Sequence, residues 1–141
     1  MSKELERAKG ILQEEKCTLV LIKEEYVHIS HERGVKPLLS LLKSNEYKIG
    51  CSVADKVIGK AAAFLYELME VKEVYAQVIS EKALVVLEKA NIAVAYDQCV
   101  PAIRNRTNTG FCPMETAVSE IDSAREAFQI LEKKTAEILV K

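Results

Sequence analysis

The stretch Tyr47 to Tyr96, YKIGCSVADKVIGKAAAFLYELMEVKEVYAQVISEKALVVLEKANIAVAY, decides the fold. Its apolar spacing switches between short strand-like runs and helical periods. It predicts a strand over Tyr47–Val53, a helix over Asp55–Glu70, a strand over Glu73–Ile79, a helix over Ser80–Ala90 and a strand over Ile92–Tyr96. Such alternation implies parallel strands joined by right-handed crossovers. In the first helix Val57, Ile58, Ala61, Ala62, Leu65, Leu68 and Met69 make one broad stripe, while Gly59, Ala63 and Phe64 narrow the polar side. That helix is expected to be deeply buried, with Gly59 and the alanines permitting close approach to the sheet. Asp55 and Ser80 are good N-cap residue types placed just after a strand.

Toward the N-terminus, Leu5, Ala8, Ile11 and Leu12 recur at helical spacing through Ser2–Glu14. The runs Thr18–Ile22 and Tyr26–Ser30 read as an antiparallel hairpin turned by charged residues. Gly34 opens a further helix with Pro37 in its first turn, where a missing N–H costs nothing, and Asn45 stops it. Toward the C-terminus, Asp122 or Ser123, the latter with Glu126 three residues on, starts a last helix that buries Ala124, Ala127, Phe128, Leu131 and Ile138. The expected class is α/β, with a mixed five-stranded sheet built from an antiparallel hairpin plus parallel strands.

The chain has 141 residues, 49% hydrophobic and 29% charged, which suits one domain over residues 1–141. A chain of this length buries about 70% of its unfolded surface, so the core requires no disulfide, metal or cofactor. Twenty basic residues against twenty-one acidic give a net charge of −1, which argues against nucleic acid or an anionic membrane as partner. No apolar run approaches the ~18 residues of a membrane span and no signal segment opens the chain, so the expected location is cytoplasmic. The four cysteines, Cys17, Cys51, Cys99 and Cys112, form no C-x-x-C pair and are expected to be free thiols. The two histidines, His28 and His31, fall on opposite faces of the hairpin strand, so a zinc cage is not expected. Common phosphate-cradle, hydrolase and metalloprotease motifs are absent.

In parallel sheets ligands bind beyond the carboxyl ends of the strands, where helix N-termini point their free N–H groups. The predicted boundaries put Ser52 and Asp55, then Ser80, then Tyr96 and Asp97 on that edge. The polar segment carrying Arg104, Asn105, Arg106 and Thr107 leaves from the same edge, and Lys56 and Lys60 sit in the first turns of the helix that opens there. Two helix N-termini with Lys56, Lys60, Arg104 and Arg106 suit an anion such as a phosphate or carboxylate. Each residue also has a structural reading. The arginines would pair with Asp97, Glu115 or Glu120, Lys60 would be a surface lysine, and Asp55 is an N-cap first and a catalytic acid second. Cys112 precedes Pro113 and takes an N-cap position where the helix dipole activates a thiol, with an inert packed thiol as the other reading. Glu115 would be its acid partner or a first-turn carboxylate of structural origin.

The stretches Ala54-Asp55-Lys56-Val57-Ile58-Gly59-Lys60-Ala61-Ala62 and Asn105-Arg106-Thr107-Asn108-Thr109-Gly110-Phe111-Cys112-Pro113-Met114-Glu115 resemble a small prokaryotic family, the domain of unknown function 1893. Gly34-Val35-Lys36-Pro37-Leu38-Leu39 and Val74-Tyr75-Ala76 resemble it too, so the likeness spans roughly Cys17 to Ile130. The resemblance implies a cytidine-deaminase-like fold, a three-layer α/β/α sandwich, with no established activity. Zinc deaminases need a His or Cys followed by Ala-Glu on one helix and P-C-x-x-C on the next. This chain has Gly59-Lys60-Ala61-Ala62 and Ile79-Ser80-Glu81-Lys82-Ala83 near those places, so zinc-dependent deamination is excluded.

The first expectation is therefore a metal-free domain that binds a small anionic molecule, a nucleotide or another phosphorylated ligand. The second is a non-zinc enzyme with Cys112 or Lys60 as nucleophile and Asp55 or Glu115 moving protons. The third is an interaction protein or homo-oligomer.

Overall fold

The computed structural model describes residues 1–32, 34–103 and 112–140, the last three by backbone alone. Helix α1 (Lys3–Glu14) starts at Ser2, whose hydroxyl accepts the Leu5 N–H. Strands β1 (Leu19–Lys23) and β2 (Tyr26–Ser30) form the expected hairpin, its turn passing through Glu24 at φ +55°. Helix α2 (Lys36–Ser44) ends where Asn45 takes the left-handed conformation, which short polar side chains tolerate.

Then come β3 (Ser52–Ile58), α3 (Lys60–Leu68), β4 (Glu73–Ser80), α4 (Glu81–Lys89) and β5 (Ala93–Val100). A five-residue helix α5 (Pro113–Ala117) and a long α6 (Ala124–Val140) follow. The sheet order is β2-β1-β3-β4-β5; β1 is antiparallel to both neighbours, and β3, β4 and β5 are parallel. It is a mixed, open five-stranded sheet of the α/β class.

Helix α1 covers one face through Leu5, Ala8 and Leu12 against Val20, Ile22, Ala54 and Tyr75. The other face is larger. There Leu38 and Leu39 of α2, Phe64 and Leu65 of α3, Leu87 of α4, and Ala127 and Leu131 of α6 pack on Leu19, Leu21, Val53, Val74 and Ala76. Both crossovers lie on this face, as same-handed connections moving steadily across a sheet must. Seven of the nine residues of α3 are buried, Lys60 included, so it is the central helix of the molecule. A fully buried Leu or Phe contributes about 1.5–3 kcal/mol, so the α3 seam is among the main sources of stability.

The first parallel strand differs from expectation. It runs from Ser52 to Ile58 rather than Tyr47 to Val53, and its helix begins at Lys60 rather than Asp55. Asp55 is therefore no N-cap. It lies mid-strand opposite Leu19 and accepts the Tyr66 hydroxyl at 2.5 Å beneath α3. A carboxylate in a strand interior is costly unless hydrogen-bonded, and Tyr66 supplies that bond from a position eleven residues on. Ser52 moves to the amino end of β3, and Lys56 lies within the strand, its N–H donating to the Thr18 carbonyl. Tyr96 and Asp97, expected just past the last strand, lie inside β5, which continues to Val100.

Candidate functional site

The carboxyl ends of the parallel strands are aligned: Ile58 lies beside Ile79, and Ser80 beside Val100. Gly59-Lys60, Ser80 and Pro101 leave this edge side by side, and a hollow of about 290 Å³ opens there. Its walls include Lys60, Ser80, Lys82, Ile103, Glu115 and Ser119.

Each wall residue is held for an identifiable reason. Ser80 caps α4 by accepting the Ala83 N–H at 3.1 Å. Gly59 occupies the N-cap of α3 and has no side chain to do the same. The missing cap comes from α5: the two Glu115 carboxylate oxygens accept the N–H groups of Lys60 at 2.6 Å and Ala61 at 2.8 Å. A Cβ at position 59 would overlap that carboxylate, so glycine is required for close approach. Burial pushes the Glu115 carboxyl up; the two N–H donors and the charges of Lys60 and Lys82 act in the opposite sense without cancelling it.

Lys60 is 9% exposed, and its ammonium donates to the Ser119 carbonyl at 3.0 Å. Its Nζ also lies 5.6 Å from the centre of the Phe64 ring. Burial first, and then Lys82, pull its pKa down, against smaller opposing contributions from Asp122, Glu115 and Glu120. Among the described residues the ion pair within 4.0 Å is Lys43–Glu132, on another part of the surface. An ammonium has three donors, and that of Lys60 has one acceptor among the described residues, in a side chain that lines the cavity.

The structure brings together Lys60, Ser80 and Glu115 of the expected site residues. It separates Ser52, Asp55 and Lys56 from them: Ser52 belongs to the opposite edge and Asp55 to the core, while Lys56 lies within β3 and does not border the hollow. Arg104, Asn105, Arg106 and Thr107 lie outside the described residues. The points flanking that segment are fixed, since the Cys112 N–H donates to the Ile103 carbonyl at 3.3 Å. Cys112 is the N-cap of α5, as its position before Pro113 suggests, with no side-chain capping bond and no place in the cavity wall. His28 lies on β2, at the edge of the sheet opposite β5.

Lys82 was not singled out from the sequence. Its place two residues after the Ser80 cap, in the first turn of a helix leaving the carboxyl edge, was the available signal. The Ser119 carbonyl had none. A larger hollow of about 570 Å³ lies between β2 and the C-terminal part of α2, among Tyr26, His28, Glu46 and Lys48. It holds no buried charged side chain. No helix among the described residues is long and apolar enough to cross a membrane.

An α/β domain with a carboxyl-edge hollow is thus defined. The chain belongs to the TM1506 family, a domain of unknown function (DUF1893), whose model matches residues 7–135. It is similar to the crystal structure of a DUF1893 family protein (TM1506) from Thermotoga maritima. The TM-score is 0.87 at 30% identity, covering 95% of this chain and 92% of that one. No curated protein matches the chain.

Proposed function

We propose that this domain is a metal-free, cytidine-deaminase-like scaffold that binds a small phosphorylated molecule, nucleotides included, in the hollow between α3, α4 and α5. The observation that carries the reading is the Lys60 ammonium, buried at the carboxyl edge, facing a cavity, with a single carbonyl as acceptor among the described residues. A buried charge is expensive unless paired, and an anion in the cavity would supply the pair. Lys82 at the rim adds a second positive charge. Glu115 supports the same view from the other side. The N-terminus of α3 is capped by a carboxylate from α5, so this end of the helix accommodates a negative charge. A volume of about 290 Å³ suits a phosphate with a small organic group. The strand order, with an antiparallel hairpin ahead of parallel strands, supports the deaminase-like part of the reading. That analogy alone favours nucleotides.

Thermal unfolding with inorganic phosphate, ribose 5-phosphate and nucleoside monophosphates tests the proposal. At a hundredfold excess over Kd a true ligand stabilises by about 2.7 kcal/mol, a readily measured rise in Tm. Lys60→Met should unfold no earlier than the wild type without ligand, because it removes a buried charge that has only a carbonyl as acceptor among the described residues, yet lose the response to ligand. Wild-type protein insensitive to all three, or Lys60→Met responding equally, would overturn the reading.

A further inference from the structure

We propose that Lys60 is an amine nucleophile that forms an imine with a small aldehyde or ketone carrying an anionic group. The inference rests on the binding reading above and names the substrate class of the same cavity.

An ordinary surface lysine is protonated at neutral pH and cannot attack a carbonyl. Proteins make amine nucleophiles by desolvating the ammonium and placing another cation beside it. Both conditions hold at Lys60. It is nine-tenths buried, and Lys82 of α4 lines the same hollow. The groups acting in the other direction are Glu115 of α5, Glu120 and Asp122 in the connection to α6, and the Phe64 ring. Burial and Lys82 outweigh them, and the net shift of the lysine is downward.

The cavity also holds the proton carrier that imine formation needs. The neutral Nζ gives its lone pair to the carbonyl carbon, and the C–N bond forms as the C–O π pair moves onto oxygen. Oxygen gains a proton while nitrogen loses one, giving a carbinolamine. Protonation of that hydroxyl then releases water as the nitrogen lone pair closes the C=N bond. Glu115 lines this space; as a carboxylate it takes the proton from nitrogen, and the acid so formed, which burial favours, returns that proton to the departing hydroxyl. No oxidant or further reactant is consumed. Lys82 would hold the anionic group of the substrate, fixing the carbonyl over Lys60.

The test treats the full-length protein with glycolaldehyde phosphate, reduces with borohydride, and maps the resulting secondary amines by mass spectrometry. Lys60 should be labelled faster than an exposed lysine such as Lys43, because a lowered pKa leaves more of the amine neutral at a given pH. Its labelling should rise at lower pH than that of Lys43, and unphosphorylated glycolaldehyde should lose the preference. Lys60→Arg, which retains the charge, should carry no label at that position while the other lysines react as before. Label spread evenly over the lysines would overturn the imine. If inorganic phosphate still raised Tm in that case, the binding reading would stand without it. With no label and no rise, both would fall.

Discussion

The two edges of the parallel sheet each hold a sequestered carboxylate, and they treat it differently. At the amino edge Glu73, 6% exposed, accepts the hydroxyls of Ser2 and Ser52, the latter at 2.5 Å. Burial pushes that carboxyl up, but the two hydroxyls and the charge of Lys72 more than reverse it, and the net shift is downward. At the carboxyl edge Glu115 is likewise held by two donors, but its net shift is upward and a cavity lies against it. The amino edge is closed and internally balanced: Ser2 both caps α1 and reaches Glu73, fastening that helix to the sheet. The carboxyl edge has Lys60, Lys82 and Glu115 around an open hollow. Closed polar clusters serve the fold, whereas an unbalanced one beside a cavity points to a ligand.

Substitutions should expose the contrast. Glu73→Ala strands two hydroxyls and frees the start of α1, and should cost about 3 kcal/mol, since hydrogen bonds to a charged group exceed those between neutral partners. A urea midpoint unchanged from wild type would show that the amino edge is not structural.

Between the edges lies Asp55, whose carboxyl burial pushes up to about 7 from an ordinary 3.8, with the Tyr66 hydroxyl and the N–H groups of Val57 and Lys56 opposing. The folded chain thus keeps a proton that the unfolded chain releases above pH 3.8. The associated stability is fully present below that pH and is lost as pH rises through about 7, with a slope of at most about 1.4 kcal/mol per pH unit. Urea midpoints from pH 5 to 8 should fall in the wild type and stay flatter in Asp55→Asn; parallel profiles would refute the assignment.

The smallest effect should come from the carboxyl edge. Gly59→Ala evicts the Glu115 carboxylate and should cost about 1 kcal/mol, the usual contribution of a helix cap. Glu115→Ala should cost a similar amount, and the double variant little more than either. Full additivity in that cycle would mean that the two residues do not share one interaction.

Much of the fold could be read from residue order, because its signals are local. Ser80 before an apolar helix, Asn45 at a helix end, Pro113 after Cys112, and the alanine-rich α3 all took their expected roles. The displaced β3–α3 boundary shows where local signals fail. Asp55 before a long apolar helical pattern carries the marks of an N-cap, and only its bond to Tyr66 makes it tolerable inside a strand. Reading the boundary too early placed Ser52, Asp55 and Lys56 on the carboxyl edge, so these three members of the expected pocket lie elsewhere. Lys60 and Ser80 survived because they stand at the true strand-to-helix junctions, Ser80 as the last residue of β4 and Lys60 just past β3. The Gly59–Glu115 contact joins parts of the chain that no periodicity links. Its meaning appears only when α5 meets α3.

The anchoring of α5 has an architectural consequence. Residue 103 is tied to residue 112 by a main-chain bond, and Glu115 is clamped to the first turn of the helix that bears Lys60. The described chain on either side of positions 104 to 111 is therefore held in place, at Ile103 and Cys112 by each other and at Glu115 by α3. The short helix α5 thus serves as a strut: it ties the chain after the last strand to the first turn of the central helix without adding a buried residue to the core.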